Sequence, residues 1–211
     1  MASAATEYPV NLRVDFPERP LNRVTTLFRI FTVIPIAIIL GLLSGGNSEH
    51  QEANGVTYQY AATGLVVAPT LLMLLFRQKY PRWWFDWNFE LTSFSYRVGT
   101  YLALLRDEYP STDEEQAIHL SIPYPDAATE LNRWLPLVKW FLAIPHYIVL
   151  FFLGLAAFVC VVIAWFAILF TGSYPRSLFD FVVGVFRWTL RVTAYAFILT
   201  TDRYTPFRLS E

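Results

Sequence analysis

Residues 134–170 decide the fold of this chain, and they read WLPLVKWFLAIPHYIVLFFLGLAAFVCVVIAWFAILF. This segment is nearly 40 residues long and carries Lys139 as its only charged residue. A transmembrane helix needs about 20 apolar residues, because each residue adds about 1.5 Å along the helix axis. The segment is therefore too long for one upright span, and we predict two spans, at about 134–153 and 155–170, joined by a turn near Gly154. A single long tilted helix is the alternative.

Two further apolar runs, at about residues 24–43 and 59–76, precede this segment and predict a first transmembrane hairpin. The loop between them, residues 44–58, is polar and contains the glycines and asparagines that favour turns. Arg29 stands near the start of the first run. We expect its charged end to reach the lipid headgroups while its aliphatic stem stays in lipid.

The composition is typical of an integral membrane protein, since 55% of the 211 residues are hydrophobic and only 16% are charged. Soluble domains have about 45–50% and about 25% respectively. The net charge of -1 gives no indication of a nucleic-acid partner. Cys160 is the only cysteine, which excludes a disulfide within the chain and argues against a thiolate metal site. The polar N-terminal region does not resemble a secretory signal, so we expect a mature N-terminus.

The sequence repeats itself in an ordered series of matches. The series comprises Leu-Asn-Arg at 21 and 131, Ile-Pro at 34 and 144, Tyr-Pro-Arg at 80 and 174, and Phe-Asp at 85 and 179. We therefore predict two tandem units, residues 1–110 and 111–211. Each unit opens with an alternating stretch, at 10–16 and 118–124, which predicts two half-buried strands that pair beneath the membrane. Pro123 restricts one edge of that pairing.

The third element of each unit, at about 82–106 and 176–200, combines apolar residues with charges on one helical face. An arginine near the bilayer centre costs about 2.5–3.5 kcal/mol, which cancels the insertion free energy of the apolar residues. We therefore predict two amphipathic helices that lie in the membrane interface. Their charged residues are Asp86, Glu90 and Arg97 in the first unit, and Asp180, Arg187 and Arg191 in the second.

These six residues are expected to form a charged stripe between the two units. A pseudo-twofold axis along the membrane normal would bring the acidic helix against the basic one. The expected pairs are Asp86 and Glu90 with Arg187 and Arg191, and Arg97 with Asp180. The alternative is a solvated face, or arginines that contact anionic lipids.

The distribution of positive charge predicts the orientation. With four spans, all 16 Lys and Arg residues lie on one side, and residues 44–58 carry only Glu49 and Glu52 on the other. The positive-inside rule then places both termini in the cytoplasm. The predicted fold is an all-α membrane protein of two tandem repeats, each with a short strand, a transmembrane helical hairpin and an amphipathic interfacial helix.

Tryptophans are enriched where a membrane protein meets the lipid headgroups. We expect an interfacial belt, with a ligand cage as the alternative. Its members are Trp83, Trp84, Trp87, Trp134, Trp140 and Trp188.

Two strings carry a resemblance to a known family: YPRSLFDFVVGVFRW at residues 174–188 and YPSTDEEQ at residues 109–116. They resemble the domain-of-unknown-function 4389 (DUF4389) family of prokaryotic membrane proteins. The resemblance extends over nearly the whole chain and implies a protein of the bacterial or archaeal plasma membrane. It implies no established activity and no catalytic residues.

No arrangement of residues in the sequence predicts catalysis or a cofactor. The three histidines, His50, His119 and His146, are too scattered for one metal site. A haem held by His146 from each of two copies is a minor alternative, and a histidine with its hydrogen bonds satisfied at the interface is the favoured interpretation. No nucleophile motif or phosphate-binding loop is present.

The sequence therefore favours a non-enzymatic membrane protein: an accessory or scaffold subunit, or a lipid-organising module. Its expected partners are membrane lipids and either further copies of itself or other membrane subunits. A small transporter or channel, with a pathway between the repeats, is the main alternative. A third possibility is an enzyme whose catalytic residues come from another subunit.

Overall fold

The computed structural model describes residues 8–44, 48–51, 57–60, 67–112, 114 and 116–211, and most of them are helical. The strands are β1 (Asn11–Val14), β2 (Ser48–Gln51), β3 (Thr57–Tyr60) and β4 (Ile118–Ser121). The helices are α1 (Arg23–Ser44), α2 (Val67–Leu72), α3 (Arg82–Leu102), α4 (Leu135–Leu142), α5 (Ile144–Thr171) and α6 (Arg176–Thr193). Two of them continue as a single π-helical turn, α2 through Met73–Arg77 and α6 through Ala194–Ile198.

Proline and glycine set several helix boundaries. Pro81 and Pro175 immediately precede α3 and α6, and both have extended backbone, which suits a proline at a helix start. Gly172 ends α5 with φ at 76°, and its N–H donates to the Ile168 carbonyl over 2.8 Å. Glycine tolerates this left-handed conformation because it has no Cβ.

The predicted turn near Gly154 is wrong, because α5 runs without interruption for 28 residues through that position. Ala143 alone separates α4 from α5, and its backbone remains in the right-handed helical region. Around Gly154 the chain is rich in leucine, phenylalanine and alanine, and it offers no proline or polar cluster to end a helix. The alternative of one long helix therefore describes this segment better than a hairpin.

Among the described residues, three helices are long and apolar enough to cross a membrane: Arg23–Ser44, Ile144–Thr171 and Arg176–Ile198. The predicted second span, 59–76, is represented by a shorter apolar helix, Val67–Arg77; residues 61–66 lie outside the described part of the chain. The mostly helical character expected from the sequence is confirmed, and three helices of this length and composition suggest membrane association. The predicted interfacial helix at 176–200 is itself one of the three, so length and composition alone do not exclude it from the membrane.

The elements stack in three layers. The apolar layer holds α1, α2, α4 and α5; the middle layer holds α3 and α6; a two-stranded ribbon of β1 and β4 forms the third. α6 packs against α5 on one side and against β1 on the other, while α1 packs against α3 and α5. The middle layer therefore separates the ribbon from the apolar helices.

The predicted strand pairing is confirmed. β1 and β4 pair antiparallel with Leu12 opposite Leu120, and Asn11 opposite Ser121. Leu12 is fully buried, because this side of β1 packs onto α6. A second pair, β2 with β3, forms a separate hairpin.

Burial differs sharply between the layers. In the most apolar 18 residues of each helix, 67% of the α6 residues are buried, against 22% in α1 and 11% in α5. The protein itself covers α6, whereas α1 and α5 present apolar side chains outward. That outward surface needs an apolar partner.

Candidate functional site

The most distinctive chemical feature is a pair of cations buried at the inner side of the apolar layer. Arg29 lies two turns into α1 and Lys139 lies in α4. The Arg29 side chain is 2% exposed and the Lys139 side chain is fully buried. Cations are almost never buried this deeply without a compensating partner.

The first cation cluster consists of Arg29, Asp107 and Tyr101. Arg29 forms an ion pair with the Asp107 carboxylate through Nη2. Its Nη1 donates to two backbone carbonyls, that of Tyr101 over 2.9 Å and that of Arg106 over 2.7 Å. The guanidinium carbon also lies 4.3 Å from the centre of the Tyr101 ring, a cation–π contact. The charge is therefore matched by a carboxylate, two carbonyls and an aromatic face.

The second cation cluster consists of Lys139, Asp202 and Tyr195, and it has the same plan. Lys139 Nζ lies 2.7 Å from Asp202 Oδ1 and donates to the Thr201 carbonyl over 2.8 Å. The nitrogen lies 5.2 Å from the centre of the Tyr195 ring. A lysine takes the place of the arginine of the first cluster. Its compact ammonium donates to one backbone carbonyl, whereas the guanidinium donates to two.

Each carboxylate also accepts a hydrogen bond from the backbone just before the helix that carries the cation. The backbone N–H of Asn22 donates to Asp107 Oδ2, and that of Asn132 donates to Asp202 Oδ2, both over 2.6 Å. The Asn22 side chain accepts from the Val24 backbone N–H over 2.9 Å, which caps α1. A carboxylate at a helix N-terminus is further stabilised by the helix dipole.

Each cluster joins a helix of the apolar layer to the chain that follows a helix of the middle layer. Asp107 and Asp202 lie just beyond the ends of α3 and of the π turn after α6, whereas the cations lie on α1 and α4. Removing one member would leave a buried charge without its partner, which is far more costly than losing an exposed ion pair. The expected extension of Arg29 to the headgroups is wrong, because the guanidinium turns inward to these acceptors.

A short pattern in the sequence accompanies the two aspartates of this site. Asp107 and Asp202 are each followed two residues later by a tyrosine, Tyr109 and Tyr204. A proline comes directly after the first tyrosine and two residues after the second. Both aspartates follow their unit's third helix.

The charged stripe does not form the expected cross-pairs. Arg187 donates from Nε to the Leu12 carbonyl and from Nη1 to the Leu209 carbonyl, each over 2.9 Å. Its Nη2 lies 3.3 Å from Glu211. Arg191 donates to the Ser210 carbonyl over 2.8 Å. The arginines of α6 thus hold β1 and the C-terminal tail, residues 203–211.

Arg97 follows the same pattern in α3. It donates to the carbonyls of Ser111 and Thr112, over 3.2 and 3.3 Å. Asp86 and Asp180 lie on exposed helical turns beside Arg82 and Arg176 of their own helices, 4.0 and 3.3 Å away. Glu90 is exposed. Among the described residues no ion pair joins α3 to α6, because the middle-layer arginines face backbone carbonyls instead.

The six tryptophans of the predicted belt differ in exposure. Four are exposed: Trp83, Trp87, Trp134 and Trp140. Trp84 is partly buried and donates to the Thr70 hydroxyl over 2.7 Å. Trp188 is 5% exposed, so its assignment to a headgroup belt is wrong. It lies in the middle layer and donates to His146 Nδ1 over 3.1 Å.

His146 is buried in an aromatic pocket and does not face the interface. Its ring stacks on Phe207 with the centroids 4.0 Å apart, beside Tyr204. Because Nδ1 accepts the Trp188 N–H, the proton of the neutral ring lies on Nε2, which finds no partner among the described residues. His119 lies on the ribbon, 3.1 Å from Asp15. Within the described ranges no three His, Cys, Asp or Glu side chains form a metal-binding group.

Two open clefts occur on the polar side of the described structure. The larger, of about 1010 Å³, is lined by residues 15–21 together with Arg106, Asp107, Glu108 and Arg176. The smaller, of about 400 Å³, lies between the ribbon, α6 and the C-terminal tail. Both mix acidic and basic side chains, and neither runs between the apolar helices.

Comparison with known proteins bears on the second half of the chain. Residues 134–209 match the model of a family described as Domain of unknown function (DUF4389). This match confirms the family resemblance through residues 134–209, which include the string at 174–188 and cover α4, α5, α6 and most of the C-terminal tail. The string at 109–116 and the first half of the chain lie outside the matched range. No curated protein and no solved structure matches the chain.

Proposed function

We propose that this chain, whose residues 134–209 carry the DUF4389 domain, is a non-enzymatic membrane protein that serves as an accessory or lipid-organising module. The observation that supports this proposal is the continuous apolar outer surface of α1 and α5. Among its most exposed side chains are Val24, Ile30, Phe31 and Leu42 of α1, and Phe151, Phe152, Phe158 and Phe170 of α5. A surface of this extent marks a membrane or protein contact.

The placement of charge supports lipid as the main partner. Arg29 and Lys139, the cations within the apolar helices, turn toward the middle layer and are neutralised there. The ribbon, by contrast, exposes Arg13, Asp15 and His119. One face of the molecule is therefore apolar and the opposite face is charged, as lipid on one side and water on the other require.

The proposed architecture is a tandem repeat related by a pseudo-twofold axis. The two cation clusters share one plan, and cross-contacts between the units are matched as well. Phe16 packs edge-on against Phe179 with ring centroids 4.9 Å apart, and Tyr124 packs the same way against Phe85 at 5.2 Å. Each unit thus inserts its post-strand aromatic residue against the third helix of the other. Such an exchange ties the units together.

The two clefts on the charged face support an accessory role, because their linings mix acidic and basic side chains. The larger cleft has Asp107 and Arg176 in its lining, and the smaller has Asp180 and Arg187. We place the protein in a prokaryotic plasma membrane with both termini in the cytoplasm, together with further copies of itself or other membrane subunits. The charged face, ribbon and clefts included, is the surface available to such partners.

The membrane part of the proposal is tested by two lysines on the apolar surface. The variant Phe151→Lys/Phe158→Lys places two cations where lipid is expected, at about 2.5–3.5 kcal/mol each near the helix centre. In carbonate-washed cell membranes the retained fraction should fall several-fold. Ser121→Lys, on the exposed side of β4, is the matched control and should be retained like the wild type. Equal retention of all three proteins would contradict the proposal.

The accessory part is tested separately. Protein purified in a mild detergent and analysed by mass spectrometry should carry a second protein, a second copy or bound phospholipid in fixed proportion. Monomeric protein free of lipid and partner would argue against an accessory role while leaving membrane association intact.

A further inference from the structure

We propose that the rod formed by α4 and α5 lies along the membrane plane, with its apolar side in one leaflet, and does not cross the bilayer. The partner surface is a single phospholipid leaflet. This inference rests on the proposed membrane function and specifies how the apolar layer meets the lipid.

The register of the ribbon locates the pseudo-twofold axis. In the ribbon, Leu12 pairs with Leu120, while Asn11 pairs with Ser121 and Arg13 with His119. The sequence repeat aligns β1 with β4 so that Leu12 corresponds to Leu120. A twofold rotation that swaps the two strands therefore maps the Leu12–Leu120 pair onto itself, and it maps the Asn11–Ser121 pair onto the Arg13–His119 pair. The axis therefore passes through the ribbon between Leu12 and Leu120.

The repeat also relates the two ends of the rod. The backbone N–H of Leu21 donates to the carbonyl of Gly172 over 2.8 Å, so the end of α5 touches the start of α1. The repeat equivalent of Leu21 is Leu131, at the other end of the rod. Two points exchanged by a twofold axis lie at the same height along that axis. Both ends of the rod consequently lie at one height, and the rod runs perpendicular to the axis.

The exposed, charged ribbon determines how the axis is oriented relative to the membrane. A rod that crosses the bilayer requires the axis, which is perpendicular to the rod, to lie in the membrane plane. With the axis in that plane, the ribbon on the axis would sit within the bilayer at the depth of the middle of the rod. A two-stranded ribbon has two open edges, and lipid-exposed open edges do not occur within hydrocarbon. The Arg13 side chain, moreover, is 73% exposed, and Asp15 beside it is 46% exposed. The axis must therefore follow the membrane normal, and the rod lies flat.

The side chains of α5 suit this placement. Exposed apolar residues recur at helical spacing along its whole length, as Ile148, Leu155, Val159 and Phe166 show. His146, Ala157, Ala164 and Ile168 line the opposite side and are buried. An interfacial helix inserts such a face about 5–10 Å into the headgroup and acyl region. The helix is also about 42 Å long, more than the roughly 30 Å hydrocarbon core requires.

The ends of the apolar helices carry groups suited to headgroups. Arg23 begins α1 and Arg133 precedes α4, and both are exposed. Trp134, beside Arg133, is 66% exposed. In a flat rod these groups lie at the periphery of the apolar layer, where anionic headgroups would surround them.

The test measures depth along α5. Single cysteines at positions 148, 155, 159 and 166, on a Cys160→Ala background, carry a bimane fluorophore in vesicles of phosphatidylethanolamine and phosphatidylglycerol. Quenching by lipids brominated at different acyl positions reports the depth of each probe. Positions 148 and 166 are about 27 Å apart along the helix axis. A flat rod gives nearly the same shallow depth at all four, whereas a probe at position 121 on the ribbon is not quenched.

Each alternative arrangement gives its own result. A depth that passes through the bilayer centre between positions 148 and 166 indicates a crossing helix and overturns the inference. A depth that peaks near position 155 indicates a hairpin and also overturns it. In both cases the probes are lipid-embedded, so the proposed membrane function stands. If no probe on α5 is quenched, the proposed function fails as well.

Accessibility supplies an independent measurement. Asn132→Cys and Ser173→Cys mark the two ends of the rod, and an impermeant maleimide should label both from the same side of sealed, oriented vesicles. Labelling from opposite sides would overturn the flat arrangement.

Discussion

Lys139 and Asp202 form a buried ion pair with Nζ 2.7 Å from Oδ1, although one residue precedes α5 and the other follows α6. The lysine is fully buried and the aspartate is 21% exposed. This contact joins the beginning of the segment that matches the DUF4389 model to the chain that follows its last helical turn. It therefore fixes how the apolar layer sits on the middle layer.

Removing the acid alone should be more harmful than removing both charges. Asp202→Ala leaves the Lys139 ammonium buried without its carboxylate, and we expect a loss of about 3–5 kcal/mol in unfolding free energy. Lys139→Met/Asp202→Ala should recover most of that loss, because no unpaired charge remains. Thermal unfolding in detergent measures both. Asp180→Asn removes an exposed ion pair with Arg176 at the start of α6 and should change stability by less than about 1 kcal/mol.

Gly184 is expected to tolerate no side chain. A Cβ at this position would lie 2.9 Å from the Leu209 Cβ and 3.3 Å from the Leu209 carbonyl oxygen. Gly184→Ala should therefore push the C-terminal tail from α6 and lower stability by about 1–3 kcal/mol. Gly154→Ala is the control, since a Cβ there meets nothing within 4 Å.

The control also tests the course of α5. An alanine in a continuous exposed helix should raise stability by about 0.5–1 kcal/mol relative to glycine. A clear loss of stability in Gly154→Ala would indicate that the helix does not continue through this position.

The hydrogen bond from Trp188 to His146 should contribute measurably to stability. Trp188→Phe removes the donor and leaves the buried Nδ1 without a partner, at a cost of about 1–3 kcal/mol. Trp83→Phe, at a 68% exposed position, should stay within about 0.5 kcal/mol of the wild type. Comparable melting temperatures for the two variants would contradict the burial of Trp188.

Arg191 should hold the C-terminal tail in place. It donates to the carbonyls of Arg208 and Ser210, and Tyr8 donates from its hydroxyl to the Arg203 carbonyl over 3.1 Å. Burial raises the pKa of the Tyr8 phenol, so it remains a donor throughout the neutral range. Arg191→Met should speed hydrogen exchange and proteolysis in residues 203–211. The same rates in Arg191→Met and wild type would show that the tail is held by other contacts.

Hydrophobic patterning was sufficient to predict most of the helical regions and the paired strands β1 and β4. The apolar runs predict α1 and α5 because a helix that contacts lipid must be apolar over most of its surface. The alternating stretches at 10–16 and 118–124 predict β1 and β4, and even their pairing, because period two places one face inward. The strings at 109–116 and 174–188 carried the family resemblance. These features depend on local spacing, which the sequence contains directly.

Tertiary structure alone decided what each charge contacts and whether a long apolar run bends. Asp107 pairs with Arg29, and Asp202 pairs with Lys139. Both contacts form because the chain after α3 and after α6 folds back to the start of an apolar helix, and no local sequence pattern indicates such a long-range contact. Arg187 donates to the carbonyls of Leu12 and Leu209 and not to the predicted acidic partners. The reason is that β1 and the C-terminal tail pack beside this face of α6, and helical periodicity does not indicate which backbone segments do so. The segment around Gly154 offers no proline or polar cluster to end a helix, but its length of nearly 40 residues predicted two spans. Packing of α5 along α6 decides between a hairpin and a straight helix.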